Sequence, residues 1–230
     1  MDCMKVSSAN VTFTSKPEVI NEARKVMHII TSDFAAVSGT KISEFKCAQG
    51  NNSFQSLATR VNERIKTFIR TPFWEEYMKR PAGNYYQTLV ENIQKYRVAN
   101  CADFAKLWNL LAKLNKIESK PAELHLVSKD GMLKGGIDHA IHIINLRKNA
   151  DLKCEKLSKM KDVLIVDPWL GFVDYAPNAE RKFKYDFGKL FKIPEDCDVV
   201  LNPYAGSAPE VTESMAEFFK KNFPQFFIKK

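Results

Sequence analysis

The chain has 230 residues, of which 45% are hydrophobic, and its 35 lysines and arginines against 27 aspartates and glutamates give a formal net charge of +8. This length and apolar content predict a folded protein with one large domain or two small ones, and disorder is not the default expectation. The positive charge is spread along the sequence, so it allows acidic partners without identifying one, and no apolar run approaches the roughly 20 residues that a membrane-spanning helix requires.

The first hundred residues are predicted to be helical. Apolar residues recur every three to four positions in three segments, which is the period of an amphipathic helix. The segments are 16–34, 53–69 and 84–98. Breaks rich in glycine, proline and asparagine separate them, namely SGT, QGNNS, RTPF and RPAGN. We expect residues 1–97 to form a helical N-terminal portion that packs on the rest of the chain.

The segment NCADFAKLWNLLAKL, residues 100–114, predicts a central helix with a cysteine at its start. Asn100 is a good N-cap residue and Asp103 places negative charge in the first turn, so the helix should begin beside Cys101. A thiol at that position meets the positive end of the helix and unpaired N–H groups, which favour the reactive thiolate. The simpler interpretation, a small buried hydrophobic residue, stays open until partners for the thiol are found.

Beyond this helix the pattern changes to short strands. Runs rich in aliphatic and β-branched residues occupy 122–127, 139–146, 163–169 and 197–203. Turn sequences lie at 131–136 and 167–171. A lysine-rich surface segment, which could be helical, lies at 147–162, and a last amphipathic segment lies at 210–223. Helices followed by an antiparallel sheet predict an α+β fold, in which residues 98–230 form a core that makes one compact unit with the helical front.

A catalytic cysteine needs an imidazole that forms a thiolate–imidazolium pair with it and later returns a proton. His139 is the favoured base, because it stands at the entry of a predicted strand, where a ring can face a cleft. His142 lies on the opposite face of the same strand and is expected to pack against another layer. His125 is expected to be a packed strand residue, and His28 a structural or surface residue of the first helical segment. On the residues alone, His142 and His125 stay open as alternatives.

The imidazole in turn needs an acid to orient it. Asp167 ends the run VLIVD and precedes Pro168, which tends to end a strand, so its carboxylate should stand at a strand end next to His139. Asp174 is the alternative acid. An aspartate before proline is also a common turn-capping residue, so Asp167 is informative only together with the cysteine and the histidine.

Acyl transfer further needs donors for the developing oxyanion. The backbone N–H of Cys101, at a helix start, is the first candidate. The second donor could be the side-chain amide of Gln94 or an indole N–H from Trp74 or Trp169. Each of these three has a structural alternative, as exposed helix surface for the glutamine and as core for the tryptophans.

Residues 95–175 resemble the core of transglutaminase-like enzymes and their papain-like relatives. The resemblance lies in a helix that opens CADFA, a strand that opens with histidine in HAIHIINL, and a strand that ends in Asp-Pro in VLIVDPWLG. It implies a papain/transglutaminase-like core, with the cysteine helix packed on an antiparallel sheet. It also implies that Cys101 is the nucleophile, His139 the base and Asp167 the orienting acid. A glycine that often precedes the cysteine in this family is absent here, where Ala99 and Asn100 stand.

The resemblance implies thiol-dependent acyl transfer on protein glutamine side chains, by cross-linking or deamidation. A papain-like cysteine protease is the nearest alternative. Related cores occur in bacterial effectors that are delivered into host cells, so the expected substrate is a host protein, and a bacterial regulator is a further candidate partner. The N-terminal residues 1–16 lack a charged region followed by an apolar one, so the expected location is the cytoplasm, or the host cytosol reached without a signal peptide.

A catalytically silent adaptor is a different class of function that stays open. Five phenylalanines near the C-terminus, with lysines nearby, would suit a protein groove or membrane contact: Phe218, Phe219, Phe223, Phe226 and Phe227. Their alternative is a last helix that packs on the core. Five scattered cysteines and the lack of CxxC or HxxxH pairs predict reduced thiols, no metal and no cofactor. No aromatic RNA-binding motif or basic recognition helix is present, so no nucleic-acid partner is expected.

Overall fold

The computed structural model of the protein describes residues 16–38, 52–79, 84–147, 151–186, 193–203 and 208–228. Within these ranges, helices come first and a six-stranded antiparallel sheet follows, which is the predicted α+β order. In the same ranges, no helix is both long enough and apolar enough to cross a bilayer.

The front of the chain is helical, as predicted. The helices are α1 (Lys16–Ile29), α2 (Asn52–Ile65), α3 (Thr71–Lys79) and α4 (Tyr85–Tyr96). Single π-helical turns extend α1 over Ile30–Phe34 and α2 over Lys66–Arg70. Helix α3 was not predicted, because RTPF reads as a break. Pro72 lies in the first turn of α3, where a missing N–H costs no intrahelical hydrogen bond.

The central helix, α5 (Cys101–Leu114), begins at the cysteine, as predicted. Two further helices follow later in the chain, α6 (Ala176–Arg181) and α7 (Glu213–Asn222). A π-helical turn continues α6 over Lys182–Asp186, and a 3-10 turn, Pro224–Phe226, follows α7.

The sheet has the strand order β3-β6-β1-β2-β4-β5, with every pairing antiparallel. Its strands are β1 (Lys120–Ser128), β2 (Leu133–Asn145), β3 (Glu155–Lys156), β4 (Val163–Asp167), β5 (Phe172–Tyr175) and β6 (Cys197–Asn202). Strands β2 and β4 are neighbours, so the strand that carries His139 lies beside the strand that ends in Asp167.

Strand β2 begins at Leu133, six residues before the predicted entry at His139. The glycine-rich stretch before His139 is therefore not a turn. Gly135 pairs with Leu126 as a strand residue, at φ +129°, which a residue with a side chain rarely adopts. The turn of this hairpin lies earlier, where the Gly131 N–H donates to the Ser128 carbonyl.

His139 lies in an irregular part of the β1–β2 ladder. Ala122 pairs with Ile141 and Leu124 with Ile137, so residues 138–140 face Glu123 alone. Such a bulge bends a strand and redirects its side chains, and bulges are frequent next to active sites. His139 is therefore placed by an irregularity within a strand and not by a strand entry.

The lysine-rich excursion 147–162 was expected to be a surface segment that could be helical. Residues 148–150 lie outside the described residues. The rest forms the edge strand β3 and a 3-10 turn, Leu157–Lys159. Leu157 and Met160 are buried, because a spacing of three places both on one face of such a turn.

Both faces of the sheet are covered. One buried cluster joins α1, α4, α5 and the C-terminal segment to Ile144, Leu164 and Val166 of the sheet. A smaller cluster on the other face includes residues of α6 and its π-helical turn. Of the C-terminal phenylalanines, Phe219 and Phe226 are buried and the other three are half-buried against the same core. Nothing in this packing tests the predicted membrane contact, which stays a prediction.

Candidate active site

Local sequence fixes the position of Cys101 at the start of α5. The Asn100 side chain and the Asp103 carboxylate form a capping box, in which the Asn100 N–H donates to Asp103 Oδ2 at 3.0 Å. The backbone N–H of Cys101 donates to Asn100 Oδ1 at 2.9 Å. The thiol is half-buried at the first helical residue. The helix start is thus held by side chains on both sides of the cysteine.

The three predicted catalytic residues come together. The Cys101 thiol is hydrogen-bonded to the His139 imidazole. On the far side of that ring, His139 Nε2 lies 2.5 Å from Asp167 Oδ2. This leaves Nδ1 as the ring nitrogen for the thiol. The side chains of His139 and Asp167 are 1% and 0% exposed, so the pair is shielded from water.

Asp167 is itself held in place. Its Oδ1 accepts the Leu170 N–H at 2.8 Å, while its backbone carbonyl accepts the Gly171 N–H at 2.8 Å. Gly171 closes this turn at φ +81°, and a Cβ there would lie 3.1 Å from Thr31 Cγ2. One carboxylate oxygen therefore fixes the turn, and the other orients the imidazole.

The electrostatics favour a thiolate–imidazolium pair. Burial alone would raise the pKa of the Cys101 thiol, but the hydrogen bond and charge of His139, with the backbone N–H groups of Ala140 and Ala102, lower it below its usual value. Burial alone would lower the pKa of His139, but the charge and hydrogen bond of Asp167, assisted by Cys101, raise it to about 9. Opposite shifts in a contacting thiol and imidazole are what nucleophilic cysteine chemistry requires.

Aromatic rings enclose the imidazole. The ring of Trp169 lies 5.1 Å from that of His139 and that of Phe183 lies 6.3 Å away, measured between centroids. Trp169 is buried. The structure therefore places this predicted oxyanion donor against the base, where its ring excludes water from the His139–Asp167 pair.

For Gln94 and Trp74, the other two predicted oxyanion donors, the structure does not test the role, which stays a prediction. Gln94 is half-buried near the end of α4 and is not among the groups that most strongly affect the thiol. Trp74 stands on α3, 44% exposed. The predicted first donor, the Cys101 N–H, is bound to Asn100 Oδ1, whereas the N–H groups of Ala102 and Ala140 contact the thiol. The strand bulge at 138–140 has no signature in the sequence that would have indicated Ala140.

The remaining histidines do not contact the thiol pair. His142 is fully buried, and burial, only partly opposed by the backbone of Ala105, lowers its pKa to about 4. His125 lies 3.4 Å from Asn202 Nδ2, across the β1–β6 ladder, and His28 is exposed on α1. The alternative acid, Asp174, accepts hydrogen bonds from Tyr175 and Asn178 at the start of α6.

Two basic side chains that were not predicted lie near the start of α5. Lys106 is one turn along α5, and its Nζ donates to the Ala102 carbonyl at 3.4 Å. Arg70 approaches Asp103 from the end of the π-helical turn after α2. The sequence held one usable signal, the i, i+3 spacing of Asp103 and Lys106, but nothing that tied Arg70 to the same place.

Three of the five cysteines lie in the described ranges and carry free thiols: Cys101, Cys154 and Cys197. Cys3 and Cys47 lie outside those ranges. Across the part of the chain that the structure describes, no cluster of three or more histidine, cysteine, aspartate or glutamate side chains could hold a metal ion. Comparisons of the chain with protein-family models, with curated proteins and with solved structures found no match.

Proposed function

We propose that the protein is a cysteine-dependent acyltransferase that acts on glutamine side chains of another protein, with a papain/transglutaminase-like core. The observation that carries the proposal is the buried Cys101–His139–Asp167 constellation, in which the thiol pKa is lowered and the imidazole pKa raised. A cysteine kept only for packing has no need of an imidazole that is itself held by a buried carboxylate. The choice of glutamine among acyl donors rests on the family resemblance of residues 95–175.

In the first half of the reaction, the Cys101 thiolate attacks the carbon of a glutamine carboxamide. The carbonyl π electrons move to oxygen, which becomes an oxyanion that needs hydrogen-bond donors. The His139 imidazolium then gives its proton to the departing nitrogen, and the C–N bond breaks. Ammonia leaves, and a thioester joins the substrate to the enzyme.

In the second half, His139 is neutral and acts as a base. It takes a proton from an incoming lysine amine or from water, and that nucleophile attacks the thioester carbonyl. Collapse of the intermediate breaks the C–S bond and restores the thiolate. An amine gives an isopeptide cross-link and water gives glutamate. Asp167 stabilises the imidazolium that exists before the first proton transfer and after the second, without accepting a proton.

The test is incubation of the protein with a host-cell lysate and a labelled primary amine, followed by mass spectrometry of the lysate proteins. Wild type should attach the label to glutamine side chains, whereas Cys101→Ala should attach none while keeping its fold. Cys154→Ala is the matched control, because Cys154 is a free, exposed thiol without an imidazole partner, and this variant should behave as wild type.

Other products would change the assignment. Cys101-dependent conversion of glutamine to glutamate without label indicates deamidation, which is the same chemistry with water as acceptor. New Cys101-dependent peptide termini would indicate a papain-like protease, with attack on a backbone amide in place of a side-chain amide. If no modification depends on Cys101, the acyltransferase proposal is wrong and the adaptor interpretation replaces it.

A further inference from the structure

A cationic and aromatic surface borders the thiol. Lys106 Nζ donates to the carbonyl of Ala102, whose own N–H contacts the thiol, and the charge of the Cys101 thiolate acts on the pKa of the Lys106 ammonium. Two rings of α3 face the ammonium, with the centroid of Phe73 at 5.1 Å and that of Trp74 at 5.5 Å. Such cation–π contacts fix the position of the charge without neutralising it.

The positive charge exceeds the negative charge at this surface. The Asp103 carboxylate is buried, with its side chain 1% exposed, and it faces both Lys106 Nζ at 3.5 Å and Arg70 Nε at 3.7 Å. Two cations therefore share one carboxylate, which leaves one positive charge uncompensated within this group. Helix α3 carries two acidic residues, Glu75 and Glu76, and Glu75 lies 3.9 Å from Lys79, one turn farther along that helix.

The cations keep donors for a ligand. The contacts of Lys106 and Arg70 with Asp103 are long, at 3.5 Å and 3.7 Å, and Arg70 Nε has no hydrogen-bond partner among the described residues. An ammonium has three N–H donors, and the Ala102 carbonyl accepts one from Lys106. The Arg70 side chain is 40% exposed, so part of it is open to a bound molecule.

The same surface offers an apolar contact. Trp74 is 44% exposed, and its ring is fixed edge-on between Phe73 at 5.1 Å and Tyr77 at 5.4 Å. A large, exposed ring that is held rigid by its neighbours loses little conformational freedom when a partner covers it, and tryptophan and arginine are the residues most often found at binding hot spots.

We propose that Lys106, Arg70 and Trp74 form a substrate subsite, which selects a protein segment that carries an acidic side chain close to the residue attacked by Cys101. The carboxylate of that segment pairs with Lys106 and Arg70, and an apolar part of the segment lies on Trp74. This inference rests on the proposed function, because it assigns a substrate class to the same thiol.

The test compares two alkylating reagents of nearly equal size, anionic iodoacetate and neutral iodoacetamide. Both react with the thiolate, so the ratio of their rates at Cys101 cancels any change in the thiolate fraction and reports the field that a carboxylate meets beside the thiol. In wild type, this ratio should be higher at Cys101 than at Cys154, which is measured in the same sample by mass spectrometry.

Lys106→Met should lower the ratio at Cys101 about threefold, the size expected for one charge several ångströms away in a watery environment. Lys106→Arg keeps the charge and should retain most of the wild-type ratio. Arg70→Gln should lower the ratio by a smaller factor than Lys106→Met. Lys113→Met removes an exposed lysine from the same helix and should leave the ratio as in wild type. Trp74→Ala should also leave it unchanged, but should slow N-benzyl iodoacetamide relative to iodoacetamide.

The outcomes separate this inference from the proposed function. If iodoacetamide reacts fast at Cys101 and the iodoacetate ratio is the same in Lys106→Met, Arg70→Gln and wild type, the subsite is wrong while the reactive thiol stands. If iodoacetamide reacts no faster at Cys101 than at Cys154, the proposed function itself fails. A Lys106→Met protein that does not fold is replaced by Arg70→Gln, whose ratio decides the question alone.

Discussion

Asp167 is a fully buried carboxylate whose two oxygens do different work. Oδ2 contacts His139 Nε2, and Oδ1 accepts the Leu170 N–H. A carboxylate held at both oxygens cannot rotate away when the imidazole gains or loses its proton. The orientation of the base therefore depends on the turn after β4 as much as on the histidine itself.

Asp167→Asn should keep most of this geometry while removing the charge that raises the pKa of His139. The pKa of His139 then falls, the imidazolium is less stable beside the thiolate, and the pKa of the Cys101 thiol therefore rises. Alkylation by iodoacetamide at neutral pH should slow about tenfold for each unit by which the thiol pKa increases. The rate at Cys101 is measured against pH by mass spectrometry, with Cys154 as internal control. An unchanged profile would mean that Asp167 does not act through His139.

If the proposed function holds, the same shifts set the pH dependence of turnover. A lowered thiol pKa keeps the thiolate present below the ordinary range of cysteine, and activity should fall on the acidic side as the thiolate is protonated. With the His139 pKa at about 9, the imidazolium should lose its proton above that pH, and activity should fall again because the leaving amine is no longer protonated. A rate that keeps rising well above pH 9 would contradict this assignment.

At the scale of residues, the sequence was sufficient to choose the three residues of the site but not the contacts that each of them makes. Cys101, His139 and Asp167 could be predicted because each stands at a recognisable place: after an N-cap residue, in a β-rich run and before a proline. The oxyanion donors could not be predicted in the same way. Gln94 and Trp74 were inferred from chain proximity and residue type. Neither of these properties gives the distance between a side chain and the thiol in the folded protein.

At the scale of elements, the N-terminal turn of α5 links stability to reactivity. The capping box that starts the helix also fixes the backbone of Cys101, through Asn100. Helix α7 has a simpler cap, in which Thr212 Oγ1 accepts the Met215 N–H at 3.4 Å. The two caps provide a matched pair, one beside the thiol and one remote from it.

Asn100→Ala and Thr212→Ala should each cost about 1 kcal/mol of the free energy of unfolding, the usual value of a lost N-cap. Only Asn100→Ala should also change the alkylation rate of Cys101, because only that cap holds the thiol in register with His139. Urea unfolding measures the first effect and iodoacetamide kinetics the second. Equal alkylation rates in the two variants would show that the cap stabilises the helix without positioning the thiol.

The elements also show why helices were easier to predict than strand details. The helical front has long amphipathic segments, and a period of 3.6 is unambiguous over 14 residues such as those of α1. The strands are short, and the start of β2 was misplaced because Gly135 and Gly136 are typical of turns. The bulge at 138–140 depends on the register between two strands, which a single sequence does not specify.

At the scale of the molecule, one buried cluster runs from the first helix to the C-terminal turn. It includes Ile20 of α1, Trp108 of α5, Leu164 of β4 and Phe226. Phe226 is 0% exposed and lies against Phe34, Phe219 and Phe223, with ring centroids 5.2 to 6.3 Å apart. The helical front and the sheet thus share apolar contacts that neither could replace alone.

Phe226→Ala should therefore lower the free energy of unfolding by about 3 kcal/mol or more, the usual cost of removing a buried ring. The loss should shift a single cooperative transition, seen alike by tryptophan fluorescence and by circular dichroism in urea. Phe227→Ala, at a half-buried position next to it, should cost less. Two separate transitions would instead indicate that residues 1–97 and 98–230 unfold as independent domains.

The three groups of the thiol site come from a helix start, the middle of one strand and the end of another, 38 and 28 residues apart along the chain. Before the sheet forms, Cys101 has neither the imidazolium nor the aligned N–H groups that lower its pKa, and it is an ordinary protonated thiol. The thiol is therefore unreactive while the chain is being synthesised. The thiol becomes reactive only when the chain folds, so the rate at which thiol reactivity appears can be used to measure the rate of folding.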